Sequence, residues 1–191
     1  ATNAALVSQE MPQCTLEQVR QYVGNGVRKL MIRAVPDGEE NPLFEQTFAA
    51  FKAYYGEHCL DHTLPYPDVL NVMKELKERG IKIAIVSNKL DSAVKELDEK
   101  FFAEYTTAAI GEMEGVARKP APDMVEKALR ELGVAKSDAV YVGDSDVDIQ
   151  TAQNSGLDCI SVTWGFRDVP FLREHGAKTM IDKPQELLSL V

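Results

Sequence analysis

Ala139-Val140-Tyr141-Val142-Gly143-Asp144-Ser145-Asp146-Val147-Asp148 is the stretch on which the fold turns. Its apolar opening, rich in β-branched and aromatic residues, reads as a buried strand. The strand stops at a glycine, and three carboxylates follow within five positions. Like charges this close repel, so the cluster is costly unless a cation or solvent offsets it. Open α/β sheets place their ligands at the carboxyl ends of parallel strands, where a hard cation such as Mg²⁺ is the natural partner for carboxylates. The competing reading is a solvated turn that caps the next helix. A calcium loop is a third reading, and it fails. Asp144, Asp146 and Asp148 match its first, third and fifth positions, but Ile149 and Ser155 stand where it needs Gly and Glu.

Working outward, the chain changes rhythm once. Residues 1 to about 64 read as helical. Leu16, Val19, Val23, Val27, Leu30 and Met31 form one stripe, broken at Gly24-Asn25-Gly26, and Thr15 with Gln18 has the spacing of a capping box. Phe44, Phe48, Phe51 and Tyr55 form a second stripe, and the two stripes are expected to pack on each other. Thr63-Leu64-Pro65-Tyr66-Pro67 reads as a linker, since its prolines favour extended backbone. Beyond it, strands and helices alternate. A helix ends near Gly80. A nearly all-apolar strand covers Ile81–Val86, and a helix covers Asp91–Phe101. A strand follows near Thr107–Ile110. Pro122 opens a helix whose apolar face is Met124, Val125, Ala128, Leu129 and Leu132. After the 139–142 strand come a helix over 147–154, strands at about Asp158–Thr163 and Thr179–Ile181, and a short helix at 184–190. Continuously apolar strands alternating with helices predict an α/β fold, a Rossmann-like parallel sheet with helices on both faces.

Bulk properties bound the function. The 191 residues are 45% hydrophobic and 27% charged, as in an ordinary globular protein. A net charge of −9 argues against nucleic acid and anionic membranes, both of which need an excess of Lys and Arg. No apolar run approaches the length of a membrane span, and no secretion signal is visible. Cys14, Cys59 and Cys159 match no zinc spacing. Reduced thiols and a cytoplasmic location are the simplest account.

Two further strand ends carry candidate chemistry. Ser87-Asn88-Lys89 follows the Ile81–Val86 strand, where a hydroxyl, an amide and the N–H groups of a helix start could hold phosphate oxygens. An ordinary N-cap is the alternative. Lys119 lies in Arg118-Lys119-Pro120-Ala121-Pro122-Asp123, a loop stiffened by prolines. Its ammonium could neutralise phosphate or the carboxylate cluster, or it could be a solvated surface lysine. Arg167, in Trp164-Gly165-Phe166-Arg167, could reach an anionic substrate, or its loop could serve packing alone.

Ser87-Asn88 after a strand, Lys119-Pro120 in a loop and Gly143-Asp144-Ser145-Asp146-Val147-Asp148 after a later strand, in this order, resemble the haloacid dehalogenase-like hydrolases. The resemblance runs over essentially the whole chain and is strongest to the phosphoglycolate phosphatase group. It implies a helical cap at residues 1–64 and an α/β core at 65–191. It implies catalytic roles for Lys119 and Ser87, with Ser87, Asn88 and Lys119 binding the transferring phosphoryl group. Asp144 and Asp148 would form the metal site, Asp144 as ligand to Mg²⁺ and Asp148 in support. The implied partner is a small phosphorylated metabolite, and the implied assembly a monomer or homodimer. Phosphoryl transfer is mainly positioning and charge neutralisation, for which a cation, a lysine and a hydroxyl are suitable parts.

One family element is missing from the residues at hand. The family's first motif, Asp-x-Asp after the first core strand, supplies a nucleophile and a general acid/base. Residues 1–14 contain no aspartate, and the first in the chain is Asp37. The expectation is a chain that starts inside the cap, without roughly 15–25 preceding residues, and that is inactive as given. The core would lack a strand between those ending at Val86 and Val142, which would then pair directly or leave edges unpaired. A phosphosugar mutase or pyrophosphatase on the same scaffold, and a non-catalytic metal- or phosphate-binding fragment, are the alternative functions.

Overall fold

The computed structural model describes residues 1–23, 26–61 and 63–191. Gly24 and Asn25, part of the expected helix break, lie outside the described residues. The chain separates into two compact units, Ala1–Thr63 and Leu64–Val191.

The first unit is helical: α1 (Thr2–Ser8), α2 (Leu16–Tyr22), α3 (Val27–Ala34), a 3₁₀ turn at Gly38–Glu40, and α4 (Phe44–His58). Thr15 caps α2 in the predicted box: its Oγ1 accepts from the Gln18 N–H, and the Gln18 Oε1 accepts from the Thr15 N–H. Leu6, Leu30, Met31, Phe44, Phe48 and Phe51 form the core, so the phenylalanine stripe faces inward as its spacing predicts. The other stripe differs at its start. Leu16 is 87% exposed and no residue of α2 is buried. At seven residues the helix is too short to bury a whole face, and the stripe meets the core only from Val19 onward. Arg28 lies over the rings of Phe44 and Phe48 and pairs with Glu39 and Glu45. Its guanidinium is therefore committed within this unit.

The second unit is the α/β part: α5 (Val69–Glu78), β1 (Ile83–Leu90), α6 (Asp91–Phe101), β2 (Thr106–Glu112), α7 (Asp123–Leu132), β3 (Val140–Gly143), α8 (Asp146–Ser155), β4 (Asp158–Val162), α9 (Val169–Glu174) and β5 (Thr179–Ile181). Every strand pair is parallel. β1 pairs with β2, and β3, β4 and β5 form a second sheet in that order. Among the described residues β1 and β3 do not pair with each other, so each carries an open edge. Of the two expected outcomes for the core, unpaired edges are the one observed.

Helix α7 joins the two sheets. Val125 and Leu129 pack with Tyr141 of β3 and Val86 of β1. Met124 and Ala128 pack with Ile110 of β2. All five apolar residues predicted for this face are buried. The larger ones contribute about 1.5–3 kcal/mol each relative to exposure.

One local expectation is corrected, and one helix is new. β1 does not end at Val86 but continues through Leu90, with an irregular register against β2 after Val86. Ser87-Asn88-Lys89 is thus strand rather than helix start, and α6 begins at Asp91 with no side-chain cap. Helix α9 was not foreseen. Six residues are too few to show a periodicity, although Asp168 caps it through the Phe171 N–H and Pro170 sits in its first turn. The short helix expected at the C-terminus is present as a 3₁₀ segment over Pro184–Ser189.

Candidate active site

The site grows from the end of β3. The strand stops at Gly143 because the Asp148 side chain crosses directly over it, and a Cβ there would run into that side chain. Ser145 caps α8, its Oγ accepting from the Asp148 N–H at 3.3 Å. This turn aims the Asp148 carboxylate back at the strand end, where it is 5% exposed.

Asp148 is a hub. Its Oδ1 accepts from Lys119 Nζ at 2.7 Å and from the Tyr141 hydroxyl at 3.0 Å. Its Oδ2 accepts from Ser145 Oγ at 2.6 Å and from the Asp144 N–H at 3.2 Å. Burial alone would raise this carboxyl's pKa. The Lys119 charge and hydrogen bond, joined by the Ser145 and Tyr141 hydroxyls, outweigh burial and hold it below the ordinary value. Tyr141 shifts the other way: burial, then the Asp148 charge, pushes its phenol well above the usual range. Tyr141 therefore stays a neutral donor.

Lys119 is fixed at both ends. Asn88 grips its backbone, with the Lys119 N–H donating to Asn88 Oδ1 at 2.8 Å and Asn88 Nδ2 donating to the Lys119 carbonyl at 2.9 Å. Asn154 holds the next carbonyl, that of Pro120, at 2.8 Å. At the other end the ammonium sits between Asp148 and the Tyr141 hydroxyl, 3.1 Å away.

Asp144 is different. Its Oδ2 accepts from the Phe166 N–H at 2.7 Å. No hydrogen bond to its Oδ1 occurs among the described residues. Burial raises its pKa, and the Phe166 N–H only partly offsets that. Asp146 forms the first turn of α8 and pairs with Arg167 at 3.4 Å.

The structure thus joins Asn88, Lys119, Asp148 and Asp144 into one continuous hydrogen-bonded set at neighbouring strand ends. Ser87 lies beside Asn88, with its hydroxyl accepting from the Lys89 N–H at 3.2 Å. Arg118 is turned to Glu112. Arg167 lies over the Phe171 ring and against Asp146. Sequence reasoning missed Tyr141. The available signal was a phenol inside a buried strand, since a buried tyrosine hydroxyl usually finds a partner.

Among the described residues no group of three or more His, Cys, Asp or Glu stands ready to hold a metal ion. Mg²⁺ does not require one. It keeps several waters and takes one or two carboxylates together with substrate phosphates. A half-buried carboxylate, Asp144, with one oxygen free of hydrogen bonds and a second carboxylate beside it, fits that donor set.

The chain is thus a parallel α/β fold with two carboxylates and a half-buried lysine side chain gathered beside the end of β3. Residues 1–162 match the family described as haloacid dehalogenase-like hydrolase, and the chain belongs to it. Within that family it is phosphoglycolate phosphatase-like. Phosphoglycolate phosphatase 1 of Pseudomonas aeruginosa is 31% identical over 193 residues, spanning 98% of this chain and 71% of that protein. The phosphoglycolate phosphatase of Rhodobacter capsulatus is 37% identical over 169 residues, 85% of this chain and 75% of its own. A crystal structure of a candidate phosphoglycolate phosphatase from Lactobacillus delbrueckii subsp. bulgaricus has a TM-score of 0.93 at 36% identity, covering 99% of this chain and 88% of that one. No helix among the described residues is long and apolar enough to cross a membrane.

Proposed function

We propose that these residues are the phosphoryl-binding and metal-binding part of a Mg²⁺-dependent phosphatase acting on small phosphate monoesters of the phosphoglycolate type. The observation that carries the reading is the Lys119 ammonium held between Asp148 and Tyr141 beside Asp144. When bound, Mg²⁺ supplies charge neutralisation for the phosphoryl oxygens. Asp144 is the carboxylate that meets the cation, through the oxygen left free of hydrogen bonds. Asp148 acts through Lys119 and holds its ammonium at a set position. Lys119 offsets negative charge on the phosphoryl group, and the Ser87 hydroxyl binds one of its oxygens. Asn88, whose amide is spent on the Lys119 backbone, is a positioning residue more than a direct substrate contact.

The phosphoryl group would pass through an aspartyl-phosphate, an acyl phosphate, as the family resemblance implies. Among the 191 residues the only Asp-x-Asp runs are those within Asp144–Asp148, and their carboxylates already serve the metal and lysine. On this reading the 191 residues as given do not turn over substrate. Phosphate release from 2-phosphoglycolate, with Mg²⁺ and with EDTA, tests this: none is expected from the 191-residue chain in either condition. Steady release by the pure 191-residue chain would overturn the assignment of roles.

A further inference from the structure

The loop after β4, Trp164-Gly165-Phe166-Arg167, has no part in the function proposed above, yet it grips the site at two points. The Phe166 N–H donates to Asp144 Oδ2 at 2.7 Å. One residue on, Arg167 Nε lies 3.4 Å from Asp146 Oδ1 while its guanidinium stacks over Phe171. Phe171 belongs to α9, whose N-cap Asp168 immediately follows the loop. The loop is therefore anchored on its far side by a helix and on its near side by two carboxylates of the β3–α8 turn.

Gly165 makes the near contact possible. A Cβ at this position would collide with the Asp144 Cβ and Oδ2. Real Cβ atoms do not approach so closely, and the atoms in the way belong to a short, half-buried side chain that the Phe166 N–H holds in place. The glycine is thus a steric requirement of the carboxylate beside it.

We propose that Gly165 and the Phe166 N–H are positioning elements for Asp144. They hold Oδ2 and so present Oδ1 alone to a divalent cation. This rests on the reading of Asp144 as a metal ligand. A carboxylate with both oxygens free can rotate or chelate through both. One pinned by a backbone donor meets the ion through a single oxygen in a set direction. Outer partners of this kind typically change metal affinity by about 10–100-fold when lost.

The test uses the 191-residue chain and Mn²⁺ as a paramagnetic probe, with bound and free ion separated by electron paramagnetic resonance. Gly165→Ala is expected to weaken Mn²⁺ binding at least about tenfold while circular dichroism stays unchanged. A metal-free measurement guards against a variant that fails to fold. In the wild-type chain the Phe166 amide should exchange slowly with solvent. In Asp144→Ala it should lose that protection while the amides of β4 keep theirs. Equal Mn²⁺ affinity in wild type and Gly165→Ala, or a Phe166 amide equally protected in Asp144→Ala, overturns the positioning role and leaves the metal site standing. A wild-type chain that takes up no Mn²⁺ removes the metal reading and the positioning role with it.

Discussion

Lys119 and Asp148 form a buried ion pair, with side chains 12% and 7% exposed. Such a pair adds little net stability over apolar residues of the same shape, yet removing one partner strands the other. Lys119→Met should therefore cost about 3–5 kcal/mol, and Lys119→Met with Asp148→Asn should recover a large part of that. Urea denaturation of the two variants checks this, and additive losses would contradict it. Asp144 behaves oppositely. Its pKa is raised in the folded chain, so its charge works against folding above that raised value, and the penalty vanishes below the unfolded value of about 3.9. In EDTA at pH 7, Asp144→Asn should be more stable than wild type by about 0.5–2 kcal/mol, since the amide oxygen can still accept from Phe166. The gap should close as pH falls toward about 4. Thermal melts across that range decide the sign. Asp148, held low by Lys119, contributes stability above the ordinary carboxylate range and loses it as pH falls through its depressed value. Asp144 and Asp148 stood out in the sequence as carboxylates crowded after an apolar strand, and Lys119 as a lysine in a proline-stiffened loop that the family resemblance singled out; the structure brings the three together. Tyr141 and Phe166 did not stand out, because their roles come from partners 7 and 22 residues away.

Periodicity decided which elements could be read. The five buried positions of α7 recur at helical spacing over ten residues, so its face was visible. β1 was harder. Ser87-Asn88-Lys89 looks like a helix start, yet it is extended, with Asn88 bonded to the Lys119 backbone and Leu90 paired with Glu112 beyond it. The split into two sheets has a consequence of its own. β3 exposes Val140 by 36% and Val142 by 42%, and one of its edges is unpaired among the described residues. An apolar strand with an open edge is a template for association, and a charge on it discourages pairing. Val142→Lys should reduce light scattering and any concentration-dependent oligomer of the 191-residue chain, with stability changed by no more than about 0.5 kcal/mol. Unchanged association would mean that this edge is not what the chain sticks by.

Over the whole molecule, the two units carry separate cores: Phe44, Phe48 and Phe51 with Leu30 and Met31 in one, and the packing of α7 against β1–β3 in the other. The entire lysine–carboxylate set falls in Leu64–Val191. A ligand stabilises only the state that binds it, by about 2.7 kcal/mol when its concentration is 100 times the dissociation constant. Mg²⁺ should therefore protect the amides of β3, α8 and β4 from hydrogen exchange, and leave those of α1 and α4 as they were. Two properties favour a measurable effect. The cation relieves the cost of ionising the half-buried Asp144, and a net charge of −9 attracts it at low ionic strength. The attraction is non-specific and fades with salt, whereas relief at Asp144 is local and persists. Exchange measured with Mg²⁺ in 0.5 M KCl isolates the local part. Protection confined to β3, α8 and β4 supports a metal site at Asp144, and protection spread equally over both units would reduce Mg²⁺ to a diffuse counterion.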